Sequence, residues 1–414
     1  MAEKILIISP VPLFPGHAGN RERILAICTE LMERGYILDF FYTGFHSEIS
    51  EDHHSFFNGS VLDHKLETER VQFGKNPVSR LQEIANGLKI KIENWLRYLQ
   101  DGSASARFNR SLTEYKNFGK WLLLMGQTDQ SAYKAVIINY APYSFYFDLF
   151  EDDTIRVIDT HDRLTDRFKL FINSSREPVD WHSLTREDEK KALSKADVVW
   201  AITSEEKKFF EELIESNVTK VYTLRHLIPF KEIKNQEKDP KIVMIGSGNR
   251  LNIDGLTWFL EQVWQKIRHY GLDLKFLVAG SICEAVDESI LDDDIELYGR
   301  FESDDEIYSK GDLFINPMQE GTGLKIKTFE ALANGKFVLS TEAGATGLNE
   351  LVGNGLICSD DPATWIQEIK QFFKDNSIKQ GQREKTAEII SQIYRQSLDV
   401  ISESLNTKLE SNEL

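Results

Sequence analysis

Asp312–Gly335, DLFINPMQEGTGLKIKTFEALANG, is the stretch on which the fold of this chain is read. It opens on a short apolar run, Leu313-Phe314-Ile315, that stops at Asn316-Pro317. A loop with Gly321 and Gly323 follows, and then Leu324, Ile326, Phe329, Ala331 and Leu332 recur on a largely helical pattern. A strand, a glycine loop and a helix in that order aim free backbone N–H groups at an anion. Lys325 and Lys327 fall in the predicted first turn, where the positive end of the helix dipole disfavours them. Either an anion compensates them, or they are solvated lysines on an ordinary strand-to-helix crossover.

The same alternation extends to both sides. After this stretch come Phe337–Ser340 and Leu356–Cys358; before it come Ile242–Ile245, Leu274–Ala279 and Glu296–Tyr298. Helices near 253–270, 304–309, 324–334 and 362–376 are expected between them. Further upstream, Lys4–Ser9, Ile37–Tyr42, Ala135–Asn139, Arg156–Asp159, Val198–Ile202 and Lys220–Thr223 form a second series. Continuous apolar runs such as KILIIS suit parallel strands covered on both faces. A helix at about 21–34 with Gly35 as its cap joins the first two strands, and a charged helix at about 186–194 lies further on. The reading is α/β, with two doubly wound Rossmann-like domains. Their expected bounds are 1–229 and 241–379, with a polar linker at 230–240. A long helix at about 380–414 is assigned to the first domain.

Composition narrows the function. At 414 residues the chain exceeds one ordinary core. A net charge of -17 argues against nucleic acid as a partner, but leaves room for a small anion held by local groups. Cys28, Cys283 and Cys358 are isolated in or beside apolar segments, as buried thiols of a reducing compartment would be. The N-terminal apolar run is short for a signal peptide and no stretch approaches a membrane span, so a cytoplasmic location is expected. Residues 44–134 carry no legible motif. His46, His53, His54 and His64 lack metal-ligand spacing and are read as solvated. Helical patterns at 78–99 and 107–125 are expected. The amphipathic stretch Gly87–Tyr98 reads as a helix packed on its own domain, with peripheral membrane contact as the alternative.

Ligands of open α/β sheets bind beyond the carboxy ends of the strands, which selects four loops. Gly16 to Arg21, with Gly19, follows the first strand. Asp159-Thr160-His161-Asp162-Arg163 follows another; His161 is a candidate ligand donor or general acid/base, with its neighbours setting its tautomer. Gly246-Ser247-Gly248-Asn249-Arg250 is a partial dinucleotide fingerprint in which Arg250 is placed to reach a phosphate. The fourth is the opening stretch, where Glu330 is placed to accept hydrogen bonds from ribose hydroxyls. Asp292-Asp293-Asp294 precedes a strand and is read as a solvated loop, so no metal site is expected.

Taken in order, IGSGNRLNIDGLTWFLEQVW, LKFLVAG, IELYGRF and INPMQEGTGLKIKTFEALANG resemble a GT-B glycosyltransferase, in particular glycosyltransferase family 4. ILIISPVP, VIDTHDR and ADVVWAITSEE extend the resemblance more loosely into the first half. It implies two domains facing across a cleft and a retaining transfer from a nucleotide-diphosphate sugar. The acceptor would be a hydroxyl of a carbohydrate, lipid-linked or protein molecule, in polysaccharide or glycoconjugate synthesis. By the same resemblance Gly321, Thr322, Gly323 and Leu324 meet the diphosphate, Lys327 supports it and Glu330 binds the ribose. Gly16 and Gly19 close over the donor phosphates, and His161 lies near the transferred sugar. No cofactor is implied; helix N–H groups and lysine stabilise the charge on the leaving phosphate in place of a metal, and front-face attack, with that phosphate accepting the acceptor's proton, requires no side-chain nucleophile. Glu320 is carried over as a catalytic candidate that meets the sugar hydroxyls, although the common pattern sets two glutamates eight positions apart and Glu320 and Glu330 are ten apart. A nucleotide-sugar 2-epimerase and a non-catalytic nucleotide-sugar-binding scaffold are the competing readings.

Overall fold

The computed structural model describes residues 2–14, 19–44, 49–62, 109–169, 183–215, 218–237, 239–286, 291–321, 323–374 and 379–407. The chain forms two compact units: Met1–Gly16 with Asn20–Leu224 and Val400–Leu414, and Arg225–Asp399 with His17–Gly19.

Among the described residues the first unit is built on seven parallel strands: β1 (Lys4–Ser9), β2 (Ile37–Tyr42), β3 (Val61–Leu62), β4 (Tyr133–Asn139), β5 (Ile155–Asp159), β6 (Val198–Ala201) and β7 (Lys220–Thr223). Their spatial order is β3-β2-β1-β4-β5-β6-β7, so the sheet switches direction of growth between β1 and β4. Ile5 to Ile8 of β1 are buried on both faces, which is why the run shows no polar alternation. The helices are α1 (Gly19–Glu33), α2 (Glu51–Phe56), α3 (Phe118–Gln127), α4 (Arg186–Leu193) and α5 (Ser204–Ile214). α1 buries Ile24, Ile27, Cys28 and Leu31, one helical stripe, and ends at Gly35 with φ +87°. Asn117, Thr185 and Thr203 cap α3, α4 and α5 through their side-chain oxygens. The sequence reading carried no element at β3, at α5 or at the 3-10 segment Ala141–Leu149, whose aromatic residues are buried. The pattern expected at 107–125 resolves into a 3-10 turn, Leu112–Tyr115, and α3. The patterns at 78–99 and Gly87–Tyr98 lie outside the described residues.

Among the described residues the second unit holds six parallel strands: β8 (Lys241–Ile245), β9 (Lys275–Ala279), β10 (Ile295–Gly299), β11 (Leu313–Asn316), β12 (Phe337–Ser340) and β13 (Leu356–Cys358). Their order, β10-β9-β8-β11-β12-β13, switches between β8 and β11. The helices are α6 (Arg250–Phe259), α7 (Gln265–His269), α8 (Asp304–Tyr308), α9 (Ile326–Ala333), α10 (Pro362–Lys374) and α11 (Lys379–Ser404). A π turn, Leu260–Trp264, joins α6 to α7 and seats Trp264 against Phe259 and Phe276 in the core.

Two domain expectations change. Residues 230–240, read as a linker, are tied to the second unit: Lys231 N–H donates to Ala333 O (2.8 Å) and Ile233 N–H to Asn334 O (3.2 Å). The end of a helix has carbonyls without intrahelical partners, and the polar segment satisfies those of α9. The C-terminal helix, assigned to the first domain, groups with the second unit through Asp399 and with the first only from Val400. In the first unit Ser404 accepts from Trp200 Nε1 (2.9 Å) and Glu403 from Tyr222 Oη (2.8 Å).

Among the described residues no helix is long and apolar enough to cross a membrane. Cys28 is buried and Cys283 and Cys358 are half-buried, all free. Asp292 and Asp294 pair with Arg268 at 2.7 and 2.8 Å, and Lys275 also meets Asp294, so this acidic run is an ion-pair network beside β10.

Candidate active site

In the second unit the opening stretch stands at the switch between β8 and β11. Asn316 ends β11 and donates to Thr328 Oγ1 (2.8 Å) and the Gly344 carbonyl (3.2 Å), fixing the exit of the strand against α9 and the loop after β12. Gly321 and Gly323 have φ +144° and +72°, backbone that only glycine adopts without strain. Leu324 is buried, and Thr322 lies outside the described residues. α9 begins at Ile326 with no side-chain cap on its first turn. A carbonyl contact, Lys325 N–H to Thr346 O (3.4 Å), secures the residue before it.

The two lysines part company here. A β-carbon on Gly321 would stand 2.8 Å from Lys325 Nζ, so the ammonium of buried Lys325 lies against the glycine loop. Lys327 instead pairs with Glu330 Oε2 at 2.7 Å. The other oxygen of Glu330 is 3.5 Å from His226 Nε2. Burial alone would raise the pKa of Glu330, but Lys327 and His226 outweigh it and hold the carboxyl at about 2. Arg225, beside His226, is buried as well; it donates to the Gly347 carbonyl and pairs with Glu350 at 2.7 Å. Sequence reasoning missed both residues, although a basic pair inside the apolar run TLRHLIP was the available signal. Glu320 is half-buried in the glycine loop. Arg250 opens α6 next to Gly248 but is exposed, 3.6 Å from Asp254.

In the first unit the turn after β5 is organised around a buried ion pair. Arg23 of α1 meets both oxygens of Asp159, at 2.7 to 3.0 Å, with both side chains almost fully buried. His161 has φ +60° and stacks on Tyr140, ring centroids 4.4 Å apart. Asn20 Nδ2 donates to Tyr140 Oη (2.9 Å) and so ties α1 to the stack. Gly19 is the first residue of α1, whereas Gly16 lies outside the described residues. Glu189 of α4 accepts the N–H groups of Leu164 (2.8 Å) and Thr165 (2.7 Å), holding the turn that follows His161.

The tautomer of His161 is set by a residue outside its own loop. Asn139 Nδ2 donates to the Ile8 carbonyl (3.1 Å), which turns Asn139 Oδ1 toward His161 Nε2 at 2.8 Å. Nε2 therefore carries the proton and Nδ1 is left as an acceptor. Burial lowers the His161 pKa to about 4; Asp159, 3.4 Å away, opposes this, and Arg23 reinforces it. Asp159 is already neutralised by Arg23, so burial wins. The imidazole is neutral at pH 7, with Nδ1 as its acceptor. The sign of the linkage follows. Below the unfolded value of 6.5 the unfolded chain takes up a proton that folded His161 refuses, so stability falls from pH 6.5 toward 4. Unfolding free energies from urea titrations across that range are expected to fall by about 3 kcal/mol more in the wild type than in His161→Phe. An identical slope in the variant would assign the titration elsewhere.

His53, read as solvated, is buried. Its Nε2 accepts the N–H groups of Leu13 (2.9 Å) and Phe14 (3.3 Å), and its Nδ1 lies 3.0 Å from Ser50 Oγ. It thus anchors the segment leaving β1, and burial lowers its pKa. His54 is exposed, and His46 and His64 lie outside the described residues.

Residues 239–375 match the family model described as Glycosyl transferases group 1. An uncharacterised 44.6 kDa protein in the cps region of Klebsiella pneumoniae is 30% identical over 159 residues, a segment covering 36% of this chain and 41% of that protein. This chain therefore matches less than half the length of that curated relative. Two solved structures resemble nearly the whole chain. One is an S. aureus TarM variant in complex with Fondaparinux, alpha-GlcNAc-glycerol and UDP, at TM-score 0.63 and 13% identity, covering 98% of this chain and 100% of that one. The other is Anabaena HepE in complex with UDP and glucose, at TM-score 0.58 and 13% identity with the same coverage. The chain has the two-sheet α/β fold of the GT-B glycosyltransferases, and residues 239–375, within its second unit, are similar to glycosyl transferases group 1.

Proposed function

We propose that the protein is a retaining glycosyltransferase that moves a sugar from a nucleoside-diphosphate sugar to an acceptor hydroxyl, in polysaccharide or glycoconjugate synthesis. The observation that carries this reading is the start of α9: an uncapped helix N-terminus behind Gly321 and Gly323, with the Lys325 ammonium against the loop. Such a place suits a diphosphate, whose charge grows as the anomeric bond breaks. Gly321, Thr322, Gly323 and Leu324 offer the N–H groups. Lys325 joins Lys327 as a cation for the leaving phosphate, and transfer proceeds without a resident metal. Arg250 supplies a further contact to the donor from the loop after β8.

Glu330 binds the ribose hydroxyls. Lys327 and His226 each approach one of its oxygens, and each oxygen keeps a second lone pair for a hydroxyl. These two partners also keep it ionised and oriented before the donor arrives. In the second unit Glu320 meets the sugar from the glycine loop; in the first, His161 offers Nδ1 to a hydroxyl. The neighbours crystallised with UDP make uridine the first base to test.

A thermal-shift panel of nucleoside diphosphates and nucleotide sugars checks the reading. A donor at a hundred times its dissociation constant is expected to add about 2.7 kcal/mol, several degrees in melting temperature. No response to any nucleotide sugar would overturn it.

A further inference from the structure

Among the described residues of the first unit, Lys120 is a buried cation without a counter-charge. It lies in the first turn of α3 and is 6% exposed. Its amine donates to the Gly44 carbonyl and stands over the Tyr42 ring, 5.3 Å from the centroid. No carboxylate among the described residues faces it: desolvation alone acts on it, pushing its pKa down to about 8. A buried ammonium is costly unless an anion accompanies it, and one neutral carbonyl and one aromatic face return only part of that cost. The helix dipole adds to the imbalance, since the lysine sits at the positive end of α3.

The place is one where ligands bind. Thr43 N–H donates to the Ser9 carbonyl (2.8 Å), so Gly44 lies just past the carboxy ends of β1 and β2, next to the switch between β1 and β4. A β-carbon on Gly44 would come within 2.5 Å of the Pro10 carbonyl oxygen, so the two strand exits are packed closely there. Tyr143 is buried near Tyr42, which helps to raise its pKa after burial itself. Thr43 Oγ1 is buried with no hydrogen-bond partner among the described residues. Among the described residues, a buried cation facing no carboxylate thus stands at Gly44, and the preceding Thr43 has a buried hydroxyl with no hydrogen-bond partner, both at the carboxy edge of this sheet.

We propose that Lys120, standing over the Tyr42 ring at the Thr43-Gly44 segment, recognises an anionic group, the carboxylate or phosphate of an acidic acceptor. Only the word acceptor rests on the transfer reading; anion binding at this lysine does not.

The test is calorimetric titration of the full chain, at fixed ionic strength, with methyl glucuronide, glycerol phosphate and the neutral methyl glucoside. The wild type is expected to bind at least one of the anions tenfold or more tightly than the glucoside. A response to the glucuronide alone assigns a uronic acid, and one to glycerol phosphate alone assigns a phosphate. Lys120→Met is expected to abolish the preference while melting, without ligand, at the same temperature or higher, because a solitary buried charge has gone. Equal binding of charged and neutral probes by the wild type would overturn the proposal, whatever the variant does. So would a lower melting temperature in Lys120→Met with anion binding unchanged, the signature of a lysine that only satisfies the Gly44 carbonyl. If Lys120→Met does not fold, Lys120→Gln is titrated in its place, and the wild-type comparison still decides. Lys120-dependent anion binding in a protein that answers no nucleotide would overturn the transfer reading and leave this site standing.

Discussion

Glu330→Ala is expected to weaken binding of the responsive nucleoside diphosphate by at least about a hundredfold. The carboxylate is assigned two ribose hydroxyls, and hydrogen bonds to a charged acceptor contribute roughly 1.5–3 kcal/mol each. The substitution also strips Lys327 and the nearby His226 of their anion. Glu330→Gln separates the two effects, because it keeps the shape and one acceptor oxygen while losing the charge; its loss should fall between wild type and alanine. Titration of the same nucleotide into the three proteins checks the order. Unchanged affinity in the alanine variant would remove Glu330 from the site. The pH dependence is fixed by the same geometry. The folded pKa, about 2, lies below the ordinary 4.5, so the contribution of Glu330 to stability is full above pH 4.5 and is lost as the pH falls through 2.

The second large effect belongs to Arg23 and Asp159. Removing one partner of a buried ion pair leaves the other charge uncompensated, at a cost of about 3–5 kcal/mol, whereas replacing both by apolar groups is often nearly neutral. Asp159→Asn is therefore expected to destabilise the first unit by that amount, and Arg23→Met combined with Asp159→Leu to recover most of it. Urea titrations of Arg23→Met, Asp159→Leu and the double variant test the coupling. Additive losses would show that the pair, although 2.7 Å apart, is not a unit. Because His161 follows Asp159 by two residues and is neutral through burial, the single variant should also shift the acid limb of stability.

Much of the architecture was legible because its cause is local. Strands buried on both faces must be apolar throughout, and KILIIS, AVIIN and LFIN say so without help from the rest of the chain. The glycine loop was legible for the same kind of reason, since positive φ at Gly321 and Gly323 leaves a residue type as its trace. Elements with weaker signals were lost. α5 begins with the charged run SEEKK, and β3 is only two residues long.

Partnerships between distant side chains were not legible. Asp159 was noticed for its place after a strand, but its cation comes from 136 positions away. Both lysines of the glycine loop carry the same charge and the same predicted turn, yet one faces Gly321 and the other Glu330. His53 and His54 are adjacent; one is buried under two backbone N–H groups and the other is exposed.

Taken alone, then, the sequence determined the two α/β units, most of their strands and the loops at the carboxy ends where a ligand would sit. Those follow from backbone geometry and apolar periodicity, which act over a few residues. Tertiary structure decided which charges are paired, which histidines are buried and, among the described residues, which lysine faces no carboxylate. Those depend on desolvation and on distances between groups far apart in the chain, and only the packed fold sets either one. For Asp312–Gly335 the sequence supplied the strand, the loop and the helix, and the packing gave Lys325 and Glu330 their places.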